Sequence, residues 1–459
     1  MRKMPLSIKE YIVSLLEDFS DRRAKANTEK LINRILTGKS IQLWTITENR
    51  KEYDNLLNLI NGELANVLDV SKLNISLLTN SVQCLQGQYV VSVIHDVCNI
   101  RKKESEKLEH LGWVQDLDGR WVKGYQTYNS VMIDSRTGKL KLLGCVPYSN
   151  GDPDFVSQEE LRQLESNKMV DKEREAVIKK ALEKAENYNS KSICKQQIKK
   201  IHDEIRAINP DIVIVHIFDR GYDDVELYDY IDSLGDKYVI RFKANRNSNE
   251  KVEDEEGKEK FLKLADKTFE NQAKKHYDKV MFDKKIHTNA TGIFEWDTVV
   301  IGTKEYQVAK IRFYEKGGKK IFKDPMLLIS NYILSGVEMT QHIYKLYLQR
   351  PKIESVFKFL KDVFGWETFQ IHCYEAIKNL IALAFFIGGY FYEIEDELIK
   401  NETVQWICEL GNGKGKVTRY YFMEGLRKLL TVAEVEIFRK ENQITDEQVE
   451  YARRLFSFK

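Results

Sequence analysis

The sequence predicts a mixed α/β protein: a five-stranded mixed sheet with helices, interrupted by a β-rich insertion and flanked by helical N- and C-terminal regions. Three observations carry that expectation. Residues 88–95 (QYVVSVIH) and 211–218 (DIVIVHIF) are runs rich in β-branched side chains, the pattern of strands buried on both faces. Two further strand-like runs and a long stretch with helical spacing lie between them. Several more strand-like runs after residue 245 then separate this block from a second helical block.

Taken in order, residues 1–80 show helical periodicity, as in Tyr11, Ile12, Leu15, Leu16, Phe19 and in Leu56, Leu57, Ile60, Leu64, with Gly38 and Gly62 as breaks. The core opens with the strand over 88–95, which ends in Asp96. Strands over 128–133 (YNSVMI) and 140–146 (LKLLGCV), joined by a turn at 134–138, complete an antiparallel meander. Residues 156–199 interleave Glu, Lys and Arg with apolar residues at helical spacing, and so form partly solvated helix. The strand over 211–218 ends in Asp219, Arg220, Gly221; a helix over 223–234 and a strand over 238–242 follow. This order of strands and helices is that of an RNase H-like core. Its first part spans 81–244, its last helix falls in 336–375, and a β-rich insertion occupies 245–335, with strands at 294–301 and 306–314 and turns at Gly302 and Gly317-Gly318. Residues 376–459 are helical.

Composition narrows the class. The chain has 459 residues, 42% hydrophobic and 31% charged, which suits a folded multidomain protein and excludes a largely disordered one. Lys and Arg total 72 against 70 Asp and Glu, so no global field steers the chain to nucleic acid, and any DNA footprint must come from segregated charge. The six cysteines show no zinc-site spacing and read as reduced, cytoplasmic thiols. Residues 8–20 alternate apolar and charged positions, unlike a signal peptide, and the apolar run over 380–392 is too short to span a bilayer. A cytoplasmic protein with no membrane partner is expected.

Phosphodiester chemistry with hard cations needs a few oxygen ligands converging from separate elements. Asp96 and Asp219 each follow a β-branched run, at the level where a buried sheet meets solvent. An Asp closing a strand is more often a turn or helix cap, so neither is informative alone. On neighbouring strands their charges would repel, and a bound cation is the natural way to keep both ionised. A third carboxylate, Glu354, has more context. On one helix, Tyr347, Arg350, Glu354 and Lys361 would fall within a sector of roughly 60°, beside an apolar stripe of Ile353, Val356, Phe357, Leu360 and Phe364. Between 341 and 361 the basic residues are Lys345, Arg350, Lys352, Lys358 and Lys361, and Glu354 is the only acid, as suits a helix along a phosphate backbone. Pro351 lies inside the stretch, so the helix kinks or restarts there.

The spacing Tyr347, Arg350, Glu354, Lys361 resembles the Y-R-E-K signature of a large group of bacterial insertion-sequence DDE transposases. Asp219 in FDRGYDD resembles that group's second-aspartate motif, and the strand into His95-Asp96 is similar to its first; the likeness covers about residues 30–390. It implies that Asp96, Asp219 and Glu354 are catalytic ligands of two Mg²⁺ ions, with Mn²⁺ as a substitute. It implies that Tyr347, Arg350 and Lys361 hold phosphates of double-stranded DNA at the element's terminal repeats, that target DNA is a second partner, and that the DNA complex is a homodimer at the nucleoid. Relatives that pass through a DNA hairpin stack an insertion tryptophan on a flipped base; Trp296 is the tryptophan of this insertion, and a core position suits it better. The alternatives to a transposase are an RNase H-like nuclease without strand transfer and a catalytically inactive DNA-binding relative.

Other positions carry weaker signals. Arg22, Arg23, Lys25, Arg34 and Lys39 are candidates for DNA backbone contact from the N-terminal helices, which are equally a packing subdomain. His95 reads as a strand histidine satisfied by a neighbour. Arg220 and Tyr222 orient the site or its DNA, or simply attend the turn at Gly221.

Overall fold

The computed structural model describes residues 7–61, 68–166, 172–243, 245–253, 258–282, 285–394 and 402–449. Gly62, Leu64 and the boundary at 244 lie outside them. The chain divides into two compact units, one of residues 77–106 and 110–357 and one of 1–76, 107–109 and 358–459.

The first unit is built on a mixed sheet, ten-stranded among the described residues. Its first strands are β1 (Val90–Arg101), β2 (Gly112–Gln115), β3 (Trp121–Ile133) and β4 (Leu140–Tyr148). Then come β5 (Val213–Phe218) and β6 (Lys237–Arg241), joined through the helix Val225–Ser233. β1, β5 and β6 run parallel, while β3 pairs antiparallel with β1 and β4 antiparallel with β3. The run β4-β3-β1-β5-β6 is compatible with an RNase H-like core.

The expected five-stranded sheet is nevertheless too small. Within the insertion, β7 (Asn247–Glu253) and β8 (Glu259–Lys263) pair with each other. β9 (Asn271–Phe282), β10 (Lys285–Ile301), β11 (Lys304–Tyr314) and β12 (Met326–Ser330) instead continue the main sheet in the order β6-β12-β11-β10-β9. β12, sequence MLLIS and buried throughout, docks on β6 through Leu328↔Arg241, Ile329↔Ile240 and Ser330↔Val239. The cause is elementary: unpaired, β6 would leave a row of N–H and C=O groups bare. β10 turns into β11 through Gly302, whose φ of +64° suits a two-residue hairpin loop. Trp296 lies half-buried on β10, across from Ala309 and Asn271.

Helices cover the sheet because their apolar faces match it. Ile193, Cys194 and Ile198 of the helix Ser190–Ile208 pack with Leu227, Tyr228 and Ile231 of Val225–Ser233 against Phe218, Tyr238, Ile240 and Ile329. Ile201 and Ile205 of the first of these helices join Val91, Val93, Met132 and Ile214 in a second cluster.

The other unit is helical and combines both ends of the chain, which were expected as separate regions. Tyr11 donates from its hydroxyl to the Phe386 carbonyl at 3.2 Å, and the Asn379 amide donates to the Ile60 carbonyl at 2.9 Å. Arg427, almost fully buried, donates to the carbonyls of Leu36 and Val363 and pairs with Glu424. Its guanidinium thereby satisfies carbonyls near the C-terminal ends of two helices, where a positive charge is favoured. Among the described residues, no helix is long and apolar enough to cross a membrane.

Candidate active site

Asp96 was expected at a strand end but stands in the middle of β1, a twelve-residue strand. What ends near it is the pairing with β5, whose last registered pair is Ile94↔Ile217. Asp96 and Asp219 each lie two residues beyond that pair. Parallel register therefore sets them level on adjacent strands, where β1 loses β5 but keeps β3.

Each aspartate is held by its own backbone. Asp96 accepts from the Val97 N–H at 3.0 Å through Oδ1, and Asp219 accepts from the Gly221 N–H at 2.8 Å through Oδ1. A Cβ at Gly221 would meet that Asp219 oxygen at 3.0 Å, a close approach that glycine relieves. Both Oδ2 atoms then face one group, the guanidinium of Arg350. Asp96 Oδ2 lies 2.6 Å from Arg350 Nη2 and Asp219 Oδ2 lies 3.8 Å from the same nitrogen. Two oxygens so close to one nitrogen can be no farther apart than the two distances laid end to end. Glu354 completes the set by pairing with Arg350 Nη1.

The stripe expected on a single helix is not formed. The helix Val337–Tyr347 ends at the tyrosine, residues 348–351 make turns, and a new helix runs Lys352–Phe364. Pro351 has no N–H to continue the first helix and a φ suited to starting the second. Arg350 consequently sits in the connecting turn, Glu354 in the first turn of the new helix, and their side chains meet as an i,i+4 pair. Tyr347 is buried; burial pushes its hydroxyl pKa up, with the nearby Arg241 side chain opposing. Lys361, on the later turns of Lys352–Phe364, pairs with Glu367 at 3.0 Å.

Electrostatics at the centre follow from burial. Asp96 is largely buried, and its carboxyl is pushed up to about 6 by desolvation, with Arg350 pulling it down and Asp219 adding to the rise. Burial disfavours the charged Arg350, but Asp96, Asp219 and Glu354 more than offset it and hold the guanidinium pKa above its usual value. Arg350 is thus the compensating positive charge of the acid cluster. With that guanidinium between them, the described residues contain no group of three or more His, Cys, Asp or Glu side chains arranged to hold a metal as they stand.

A cleft of about 550 Å³ opens beside Asp96 and Asp219, lined also by Asn99, Tyr222, Lys191, Lys195 and Lys243. Lys191 and Lys195 are tied to Glu226, and Lys191 also to Asp224. Tyr222, expected either to orient the site or its DNA or simply to attend the Gly221 turn, packs its ring on Phe218 and Tyr128, and its buried hydroxyl has no hydrogen-bond partner among the described residues. Arg220 opens a short 3₁₀ turn after Asp219.

His95 is satisfied internally, with Nδ1 2.8 Å from Ser130 Oγ and Nε2 2.9 Å from His216 Nδ1. The chain of contacts continues from His216 Nε2 to Asp236, which also meets His202 at 2.8 Å and Arg206 at 3.1 Å. Burial depresses the His95 pKa, so the imidazole is neutral and fixes β1 to β5 rather than reaching into the cleft. Of the basic residues expected at DNA from the N-terminal helices, Arg34 is committed to Glu48 and Glu52, and Lys39 to Glu424. Arg34 is thereby engaged within the unit, while Lys39, 58% exposed, holds only a surface pair.

Compared with known proteins, residues 190–387 match the family model described as the transposase DDE domain. No curated protein matches the chain. Asp219, Tyr347, Arg350, Glu354 and Lys361 fall inside the matched segment and Asp96 precedes it, and the match supports a DDE transposase.

Proposed function

We propose that this chain cleaves DNA at the ends of a mobile element and joins the freed 3′ end to target DNA, with Asp96, Asp219 and Glu354 as the catalytic carboxylates. The observation that carries the reading is the meeting of these three acids, from a strand, the turn after a strand and a helix, on one guanidinium. Three carboxylates at one point require positive charge, and all-oxygen donors are the set that hard divalent cations take. Mg²⁺ ions, or Mn²⁺ in their place, would be held by Asp96, Asp219 and Glu354 and would supply Lewis acidity toward the phosphate.

The chain's own residues perform the remaining work. Val97 and Gly221 fix one oxygen of each aspartate, leaving the other aimed at the reacting centre. Arg350, displaced from the acids as cations and DNA enter, offers its planar fork to a phosphate. Tyr347 and Lys361 are assigned to phosphates on the same strand. Lys361 lies seven residues beyond Glu354, about 10 Å along the helix, and its partly exposed pair with Glu367 is a weak one to give up. In each of the two steps one P–O bond forms and one breaks: water displaces the element's 3′ oxygen, and that 3′-OH then displaces an oxygen of the target strand. No covalent protein intermediate is needed, and the DNA complex is proposed to be a homodimer.

The test is a joining assay with the DNA that flanks the gene as donor and a supercoiled plasmid as target. Donor ends covalently joined to plasmid are expected in Mg²⁺. Cut donor ends with no joined product would instead identify a nuclease without strand transfer.

A further inference from the structure

The strand that carries Asp96 runs on past the acid cluster, where its partner β3 forms a hairpin with β2. β1 leaves β5 at Ile94, but its pairing with β3 continues to Arg101↔Gly124, and β2 pairs with the start of β3 from Gly112↔Gly124 to Gln115↔Trp121. Directly opposed residues in an antiparallel ladder share a face, as do alternate residues along a strand. Asn129 opposes Asp96, so Lys123 and Trp121 share its face, and so do Trp113, opposite Lys123, and Gln115, opposite Trp121. Trp113 is 50% exposed and Trp121 63%, whereas Val114 on the other face is buried. Two large indoles are thus displayed on the Asp96 face of the sheet. At about 3.3 Å per residue they lie about 20 to 26 Å along the strand from Asp96, which about six to eight nucleotides span when stacked as in a duplex, and fewer when unstacked.

The display is braced. The Asn150 side chain accepts from the Trp113 N–H at 2.8 Å and donates to the Trp113 carbonyl at 3.0 Å, and Asn99 donates to the Gln115 carbonyl at 2.9 Å. At the turn, Asp116 accepts from the N–H groups of Asp118 and Arg120 and pairs with Lys103. With the backbone of Trp113 already sealed by Asn150, an extended peptide cannot add there as a further strand. What remains on offer is aromatic surface with cations, since the Lys123 ammonium stands 4.1 Å over the Trp113 ring and Arg120 adjoins Trp121.

We propose that this hairpin is a docking surface for DNA with unstacked bases, Trp113 and Trp121 stacking on bases of the strand that leads from the acid cluster and Lys123 and Arg120 meeting its phosphates. The proposal rests on the DNA-cleaving reading above and deepens it. Base stacking on exposed indoles is strong and tolerant of sequence, as a strand frayed next to a cleavage point requires.

The experiment uses the full chain without divalent cation, so that nothing is cut. Fluorescence anisotropy compares a blunt mixed-sequence duplex with the same duplex carrying about eight unpaired nucleotides at one end. The Trp113→Ala/Trp121→Ala variant is expected to bind the frayed duplex at least about tenfold more weakly, with blunt-duplex binding changed less than about twofold. The Phe/Phe variant, which keeps the rings, should recover most of the affinity and guards against misfolding. Unchanged binding of the frayed duplex by both variants would overturn the proposal, and so would loss of self-association in light scattering with DNA binding intact. A chain that binds neither duplex removes the DNA reading itself; a chain that binds both alike, with or without the indoles, removes only the hairpin.

Discussion

An Asp219→Asn variant cleaves DNA at least about a thousandfold more slowly than the natural chain, because charge stabilisation by a held cation supplies several kcal/mol and each 1.4 kcal/mol is a factor of ten. The substitution is chosen to isolate charge. Asparagine keeps an Oδ1 that can accept from the Gly221 N–H, so the turn and the melting temperature are expected to survive. Glu354→Gln, at an exposed position, should behave alike, and Asp96→Asn keeps its acceptor for Val97. Gel-based cleavage of labelled end DNA in Mg²⁺ reads the effect. Activity within about tenfold of the natural chain would remove that residue from the catalytic set.

The second large effect concerns Arg350, whose Nη2 lies 2.6 Å from Asp96 while its Nη1 meets Glu354. Any cation entering among the acids must displace this guanidinium, and hydrogen bonds to charged groups contribute about 1.5 to 3 kcal/mol each. Arg350→Ala removes the competitor. Mn²⁺ should then bind at least about tenfold more tightly by calorimetry, a gain of about 1.4 kcal/mol. Without divalent cation the same variant should melt lower, since three carboxylates lose their shared counter-charge, and added Mn²⁺ should restore it through mass action. Cleavage is nevertheless expected to fall, because the fork that would grip a phosphate is gone. Equal Mn²⁺ affinity in the two proteins would show that Arg350 is not the resting counter-ion.

These expectations depend on features that the sequence discloses unevenly. The strand VIVHIF and the FDRG turn after it are legible because a strand buried on both faces writes a continuous apolar run, and β5 occupies Val213–Phe218. Asp96 is misread as a strand end because β1 changes surroundings within its length: apolar through Ile94 where β5 flanks it, mixed in character beyond, where β3 alone continues. The addition of β12 to β6 is invisible to any local pattern, since Leu328 and Arg241 are brought together only by the fold. The Trp113 hairpin is passed over because β2 is only four residues long and its turn is charged.

For the acids, periodicity relates Arg350 to Glu354 but does not disclose what joins them to Asp96 and Asp219. Helical geometry puts Arg350 and Glu354 together only because i and i+4 meet across one turn. The contact of Arg350 with Asp96 spans 254 positions and no spacing rule reaches it. The Y-R-E-K spacing alone predicts one stripe facing DNA; with the helix broken before Pro351, its arginine turns inward instead.

The most direct test of the central claim, that Asp96, Asp219 and Glu354 form one cation site, is a calorimetric Mn²⁺ titration of the natural chain beside Asp96→Asn, Asp219→Asn and Glu354→Gln. Measurable binding by the natural chain and a loss of at least about tenfold in each variant are expected, since three carboxylates acting on the same ions cannot be removed independently. A variant that keeps the natural affinity and stoichiometry would contradict it, by showing that its carboxylate stands outside the site.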